Sequence, residues 1–411
     1  MVTTGRRQLR PPAVSTAFGA FFGAWGLAIG GRPLGDNSFL THLATGRLIL
    51  ERGEIPGSDP YTFVAAAEPW VVQSWLVSTA FAVAESAMGM LGVRILVMAT
   101  TALLGCLVWT LTRSAGALSA RILLSTLAMC IATFYWSERP LLVGYLGVAL
   151  VLLVVEDRVD PRWLLPAMWV WVNSHGSFPL ALVIPLVWMV GARLDRESLH
   201  VPVRALAWAG AGTLLGAIGP IGPTVLLFPL DLVSSTDNLS RVIEWQSPSF
   251  DDLQNRIFLI QLALAVVLVA RRPSYQRALA VALATGMALL AARNVPVASL
   301  LLLPVMASGL EGVRGVVGKE RSAISAGRGR RSSVSLGLVV EGWPAGRTTT
   351  SQVGAASPLD RVLPIWRTGG WRLETRLVTH DYVGNYLEFR DATPEQVFMT
   401  TRRSLLDRRR G

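Results

Sequence analysis

The sequence predicts an all-α polytopic membrane protein, and three observations lead to this fold class. Hydrophobic residues make up 52% of the 411 positions and charged residues only 16%, below the fraction of about a quarter typical of soluble domains. The mean hydropathy of the chain is positive. The apolar residues are gathered into successive runs, separated by short polar turns that carry arginine. We therefore expect helices that cross a lipid bilayer.

The charge pattern excludes one class of partner. A net charge of +11 is compatible with nucleic-acid binding, but the arginines stand singly or in pairs between apolar runs. That placement is typical of residues that set membrane topology. We therefore expect membrane lipids as partners and no nucleic acid. Cys106 and Cys130 both lie inside apolar runs, without the spacing of a metal site or a disulfide pair.

The chain opens with a basic segment, residues 1–12, which contains Arg6, Arg7 and Arg10. The apolar run that follows, 13–31, fits either a signal peptide or a first membrane helix. The many later apolar runs favour a retained helix. Because basic flanks stay on the cytoplasmic side, we expect a cytoplasmic N-terminus and an outer loop after the first helix.

That outer loop, residues 32–94, is predicted to hold helices at the membrane surface. Apolar residues between Phe39 and Ile49 form one stripe at helical spacing, in a segment too short and too polar to span. The run 70–91 is either a span or a second surface helix. The surface interpretation is favoured because it leaves the later basic loops in the cytoplasm.

About ten spans are predicted from apolar length and loop charge, within a transmembrane domain of residues 13–310. Both arms of the hairpin, 163–172 and 178–191, are shorter than the roughly 20 residues of a full span, so the polar turn between them, 173–177, is expected to line a recess. The predicted spans are 13–31, 95–111, 122–136, 141–155, 163–172, 178–191, 206–221, 257–270, 278–292 and 295–309.

The composition changes after the last predicted span. Residues 311–334 combine arginine and lysine with glycine and serine, which predicts a basic flexible linker against anionic headgroups. Residues 335–411 contain short β-like runs and predict a small α+β C-terminal domain. The arginines next to the membrane favour the cytoplasmic side for this domain.

The candidate functional site consists of polar groups that the topology places on the outer face. Charge at membrane depth is costly and is usually functional where it persists. We therefore expect a cavity of mixed charge at the outer leaflet. The candidate catalytic residues are Asp36 and Asp59, and the candidate substrate-binding residues are His42, Arg94, Arg139, His175, Glu244 and Arg293.

Both candidate catalytic carboxylates have a structural alternative. Asp36 directly follows the first span and can take a proton from a hydroxyl group, but it also precedes the surface helix and suits its N-cap. Asp59 comes before Pro60 and either provides a second base or forms a turn. The sequence leaves both alternatives open.

The substrate-binding candidates have structural alternatives too. The three arginines either hold a phosphate bidentately or extend to lipid headgroups. His42 and His175 either donate hydrogen bonds to a substrate or complete the local structure. Glu244, beside Trp245, either contacts a sugar or anchors its loop.

Several short motifs occur along the chain, from the first outer loop to the tail. They are Asp36 with HLATGR (42–47), GEIP (53–56), SWL (74–76), ERP (138–140), WVNSHGSF (171–178), EW (244–245), RNVP (293–296) and the tail segment DYVGNYL (381–387). Together these motifs resemble bacterial membrane proteins related to the GT-C glycosyltransferases. Those enzymes transfer sugars from polyprenyl-phosphate donors at the outer face of the membrane, as the aminoarabinose and protein mannosyl transferases do.

This resemblance implies a GT-C fold in the bacterial inner membrane and transfer of a sugar from a polyprenyl-phosphate donor to an envelope acceptor. Relatives commonly have a second acidic residue just after the first, where this chain has Asn37 and Ser38. No residue is therefore assigned to a metal, and a divalent ion stays open as a cofactor. The alternatives are a non-catalytic protein of the same fold that serves as an assembly partner of another membrane protein, and a transporter.

Overall fold

The computed structural model describes residues 13–61, 69–234 and 243–311, and within these ranges the chain is mostly helical and has no β-strand. The all-α prediction is confirmed for this part. The predicted C-terminal domain lies outside the described residues, as does the basic linker beyond Glu311.

The described helices follow the predicted runs, and α6 and α13 have the predicted bounds. Short 3₁₀ turns occur at Arg113–Ala115, Pro161–Trp163, Gly222–Leu226, Ile243–Trp245 and Ala292–Asn294. The α-helices are α1 (Val14–Gly30), α2 (Asn37–Arg52), α3 (Trp75–Met88), α4 (Met90–Leu111), α5 (Leu118–Tyr135), α6 (Leu141–Val155), α7 (Leu164–Val172), α8 (Leu180–Asp195), α9 (His200–Gly216), α10 (Phe228–Ser234), α11 (Leu253–Arg271), α12 (Tyr275–Leu290) and α13 (Val295–Gly309).

Within residues 13–61, 69–234 and 243–311, four helical segments are long and apolar enough to cross a membrane. They are Met90–Ala115, Leu118–Tyr135, Leu253–Arg271 and Ala292–Gly309. Helices α1, α3, α6 and α12 are also apolar but shorter. The described part of the chain is therefore a bundle of helices of the membrane type.

Small residues bring α1 and α4 into close contact. A Cβ atom added at Gly26 would overlap the Thr101 carbonyl, and one added at Gly105 would overlap the Phe22 carbonyl. Close approach of backbones at small residues is a common way to pack membrane helices. The first predicted span is thus held against the bundle along much of its length.

The predicted surface helix is observed as α2, and its apolar stripe packs on α3. The Phe39 and Phe81 ring centroids are 5.4 Å apart. Arg47 Nε donates to Glu85 Oε2 at 2.7 Å and so joins the two helices by an ion pair. The stripe predicted to face the lipid interface therefore faces a protein neighbour.

Helix α13 lies in the core, since every residue from Val295 to Ala307 is buried. It packs against α5, α6, α11 and α12. Because such a helix has little freedom to shift in a close-packed interior, the turn before it is positioned precisely. That turn carries Arg293.

Polar contacts join turns that are far apart in the sequence. At the predicted inner end, Arg121 Nη1 donates to Ser15 Oγ at 2.9 Å and the Tyr275 N–H donates to Asp195 Oδ1 at 2.8 Å. At the predicted outer end, Ser137 Oγ donates to Asp36 Oδ2 at 3.1 Å. Which of these ends faces the cytoplasm stays a prediction from the loop charges.

Candidate functional site

Asp36 lies at the N-cap of α2 and its carboxylate is surrounded by donors. Oδ1 accepts from the Ser38 N–H at 3.0 Å and from Ser38 Oγ at 2.7 Å. Oδ2 accepts from Ser137 Oγ at 3.1 Å and from Arg139 Nε. The residue therefore caps the helix, and it also forms an ion pair with the turn between α5 and α6.

Glu138 holds the backbone beside this carboxylate. Its Oε1 accepts from the Gly35 N–H, and from the Asp36 N–H at 2.7 Å. The side chain is buried, with 7% of its surface exposed. Glu138 belongs to the ERP motif but was not predicted as a site residue, because nothing local in the sequence reveals two backbone donors about a hundred positions away.

Arg139 joins two carboxylates from separate parts of the chain. Besides its bond to Asp36, its Nη1 donates to Glu244 Oε2 at 2.6 Å. Burial alone would raise the pKa of Asp36, but the Arg139 charge and the Ser38 hydrogen bonds outweigh it, so the pKa is lowered. Burial alone would lower the pKa of Arg139, and the two carboxylates reverse this and raise it. Asp36 and Arg139 are therefore both charged at neutral pH.

Arg293 lies near Glu244 and its neighbour Trp245. Its guanidinium carbon lies 4.4 Å from the centroid of the Trp245 ring, a cation–π distance. The Ala292 N–H donates to the Gln246 carbonyl at 2.8 Å, so the turn before α13 is tied to the Ile243–Trp245 turn. Arg293 is also attracted by Glu244. We call Asp36, Arg139, Glu244 and Arg293 the outer charge cluster.

His175 lies near this cluster in the hairpin between α7 and α8. Its Nδ1 accepts from the Ser177 N–H at 3.1 Å and is 2.8 Å from Ser177 Oγ. Since a backbone N–H can only donate, Nδ1 is unprotonated and the neutral ring carries its proton on Nε2. Burial lowers the pKa of His175 to about 3, with smaller contributions from Arg293, His42 and Arg139. His175 is therefore a neutral donor close to two arginines.

Asn173 connects the hairpin to its surroundings. Its Oδ1 accepts from Trp75 Nε1 at 2.9 Å. Its Nδ2 donates to the Trp169 carbonyl at 2.8 Å and to the Gly216 carbonyl at 3.0 Å. Asn173 thus joins α3, α7 and α9 and fixes the direction of the hairpin. Sequence reasoning placed it in the polar hairpin without predicting this role.

Three predicted site residues lie apart from the outer charge cluster. His42 is on α2, with Nδ1 at 3.3 Å from both Ser74 Oγ and Ser78 Oγ at the contact with α3. Asp59 is buried and accepts from the Tyr61 N–H at 2.8 Å, as in a turn. Arg94, half-buried on α4, forms no hydrogen bond or ion pair within the described ranges.

The donor set does not fit a divalent ion. Among the described residues no group of three histidine, cysteine or acidic side chains is arranged to hold a metal. Both oxygens of Asp36 already accept hydrogen bonds, one of them from a guanidinium. Hard cations need several free oxygen ligands. The chemistry of this site is therefore that of ion pairs and hydrogen bonds.

A cavity of about 520 Å³ lies at the predicted inner end, away from the outer charge cluster. Its lining includes Glu156, Asp195, Arg272 and Arg277. The Asp195 carboxylate already has hydrogen-bond donors in this cavity. It accepts from Ser274 Oγ at 2.7 Å and from two backbone N–H groups at the start of α12. We place the candidate site at the outer end, where charge is buried and brought together from distant parts of the chain.

No family model, curated protein or solved structure matches this chain. The function is therefore argued from the arrangement of side chains.

Proposed function

We propose that this protein is a multi-pass glycosyltransferase of the bacterial inner membrane, with about ten spans and a cytoplasmic N-terminus. It transfers a sugar from a polyprenyl-phosphate donor to an acceptor at the outer face. The observation that carries the proposal is the outer charge cluster, in which Arg139 joins Asp36 to Glu244 and Arg293 is attracted by Glu244. The resemblance of the motifs that supply these residues to the GT-C enzymes supports it.

The cluster contains the groups that such a transfer requires. The acceptor hydroxyl attacks the anomeric carbon, the bond from that carbon to the phosphate oxygen breaks, and the hydroxyl proton passes to a carboxylate. Asp36 is the proposed base. The leaving polyprenyl phosphate carries the released negative charge, which Arg139 and Arg293 stabilise.

The ion pairs indicate how a donor would change the site. Arg139 is balanced by Asp36 and Glu244, and the Arg139 charge keeps the pKa of Asp36 low. A low pKa makes a carboxylate a weak base. A phosphate that binds Arg139 would compete with both carboxylates and move the pKa of Asp36 back towards its ordinary value. Donor binding would then activate the base.

His175 has a simpler role in this proposal. Its Nδ1 is occupied by Ser177, so only the Nε2 proton is free to meet a ligand. Because the ring is neutral, it donates to a phosphate or sugar oxygen without a change of charge. Its contribution to binding would not vary between pH 6 and 8.

A second candidate function rests on the hydrogen bonds that the Asp36 carboxylate already accepts. Each of its carboxylate oxygens accepts two hydrogen bonds, and the residue links α2 to the turn between α5 and α6. The same set would serve a non-catalytic protein that keeps this fold and assembles with another membrane protein. In that case Asp36 matters for stability and not for turnover.

Turnover in a defined bilayer separates the two candidates. The purified protein in nanodiscs is given radiolabelled hexosyl and pentosyl polyprenyl phosphates together with envelope glycan acceptors, and released polyprenyl phosphate is measured. We expect Asp36→Asn to reduce the rate by about 10²-fold or more, as for loss of a general base.

The matched control is Asp157→Asn. Asp157 is exposed at the predicted inner end and has a positive φ of 54°, which asparagine also tolerates. This variant should keep the wild-type rate. A wild-type rate in folded Asp36→Asn protein would contradict the proposed base, and wild-type protein inactive towards every donor would favour the assembly partner.

A further inference from the structure

Arginines at the predicted inner end gather around the C-terminus of α4. Arg121 Nη1 donates to Ser15 Oγ at 2.9 Å, and its Nη2 donates to the Trp109 carbonyl at 3.0 Å. The Arg121 guanidinium also stacks on the Trp109 ring, with its carbon 3.8 Å from the centroid. Arg121 is thus fixed in one orientation by contacts with α1 and α4.

Two further arginines approach Arg121. Arg158 Nη1 donates to the Thr110 carbonyl at 2.8 Å, and both Arg158 and Arg113 repel Arg121 electrostatically. The carboxylate near them is Glu156, 3.9 Å from Arg158 Nη2. Within the described ranges Arg113 and Arg121 form no ion pair. We call Arg113, Arg121 and Arg158 the inner arginine cluster, and it carries excess positive charge.

Capping of α4 explains only part of this arrangement. Arginine side chains that bond the last carbonyls of a helix are common, and they account for Arg121 Nη2 and Arg158 Nη1. Two other donors are buried and have no acceptor, namely Arg121 Nε and Ser114 Oγ. Buried polar atoms without a partner are rare in native structures. Excess positive charge together with an unpaired guanidinium N–H fits an oxyanion ligand.

We propose that the inner arginine cluster, with Ser114, binds the phosphate of an anionic phospholipid in the inner leaflet. The ends of the apolar helices α1, α4 and α5 meet at the cluster, so a headgroup arrives there with its chains in the bilayer. Arg113 is exposed at this edge and is free to close over the phosphate. This site does not depend on the proposed transferase activity.

The experiment compares full-length protein in nanodiscs of phosphatidylcholine with and without phosphatidylglycerol. The readout is the shift in Tm caused by phosphatidylglycerol. We expect Arg113→Gln and Ser114→Ala to reduce that shift by about half or more, since each removes a charge-assisted hydrogen bond to the phosphate. Arg162→Gln, at an exposed arginine of the neighbouring inner loop, is the control and should keep the full shift.

Other arms test the source of the phosphate. Inorganic phosphate added to phosphatidylcholine nanodiscs should not raise Tm, and an increase equal to that from phosphatidylglycerol would overturn the lipid assignment. High salt should weaken the lipid effect, because an exposed charge contact is screened. An equal shift in wild type, Ser114→Ala and Arg162→Gln would overturn the site itself, and this comparison holds even if Arg113→Gln fails to fold.

Discussion

At the scale of single residues, Asp36 illustrates how one carboxylate serves structure and chemistry together. It caps α2, accepts from Ser137 Oγ and forms an ion pair with Arg139. Its side chain is only 8% exposed, so solvent screens these contacts weakly. The proposed role as a base therefore requires at least one of these contacts to loosen.

The first residue-scale prediction concerns Asp36→Asn. We expect the variant to be less stable than the wild type at pH 7 by about 2 kcal/mol, since a buried charge pair loses one member. The pKa is lower in the folded than in the unfolded state, so the stabilisation is complete above about pH 3.9 and is lost as the pH falls through the folded value. Thermal unfolding across pH 7 to 3 measures it. A difference from wild type that stays constant at the acid end would contradict the prediction.

The second residue-scale prediction concerns His175. Its folded pKa of about 3 lies below the ordinary value, so the unfolded chain binds the proton first and stability falls as the pH drops below about 6.5. The expected loss between pH 6.5 and pH 5 is about 2 kcal/mol. His175→Gln should flatten this part of the stability curve.

The control for that measurement is His200→Gln, because His200 is exposed at the start of α9. It should retain the acid sensitivity of the wild type. If His175→Gln and His200→Gln lost stability with pH in parallel, His175 would not be the group that titrates.

At the scale of elements, α1 and α4 pack closely because glycines at their contact carry no side chain. Gly26 meets the Thr101 carbonyl and Gly105 meets the Phe22 carbonyl, so backbone touches backbone. Such an interface tolerates no added methyl group, because a helix backbone moves only as a whole.

The element-scale prediction is that Gly26→Ala destabilises the protein by about 1–3 kcal/mol through overpacking. The matched control is Gly210→Ala on α9, where an added Cβ atom would meet no neighbouring heavy atom within 4 Å. That substitution should be neutral or stabilise by up to about 1 kcal/mol, as alanine favours a helix. Midpoints of thermal unfolding in one detergent test both. A Gly26→Ala protein as stable as Gly210→Ala would show that α1 is not closely packed on α4.

The direction of the α7–α8 hairpin is set by hydrogen bonds to neighbouring helices. The sequence predicts two short apolar arms around polar residues, and α7 is indeed only 9 residues long. The direction of the hairpin depends on Asn173, whose amide reaches α3 and α9. No local pattern identifies those partners, since they come from positions about 98 and 43 residues away.

At the scale of the whole molecule, the prediction is the order of the spans. Reporter fusions after Gly116, Arg196 and Arg272 should be cytoplasmic, and those after Gly57 and Gly219 should be exported, because the basic loops stay inside. Paired fusions to green fluorescent protein and alkaline phosphatase give opposite readouts at each site. An active phosphatase after Gly116 would invert the order. A fusion at residue 325 assigns the side of the C-terminal segment.

The described part of the fold was predictable because apolar length and periodicity are local properties of the chain. Helix α6 and helix α13 begin and end where their apolar runs do. The candidate site was predictable only in part. Arg139 pairs with Asp36 and with Glu244, and Arg293 is attracted by Glu244, whereas Arg94 forms no hydrogen bond or ion pair within the described ranges. Sequence supplies the depth of a residue along the membrane normal but not its direction around a helix bundle.

The sequence alone therefore determined the all-α membrane class of the described part of the chain and the succession of its helices. These properties follow from hydrophobic length and from the distribution of arginine, both of which are readable without a partner. Tertiary structure alone decided that Glu138 holds the Asp36 backbone and that Arg139 bridges Asp36 and Glu244. Those contacts join residues about a hundred positions apart, so they exist only once the helices have packed.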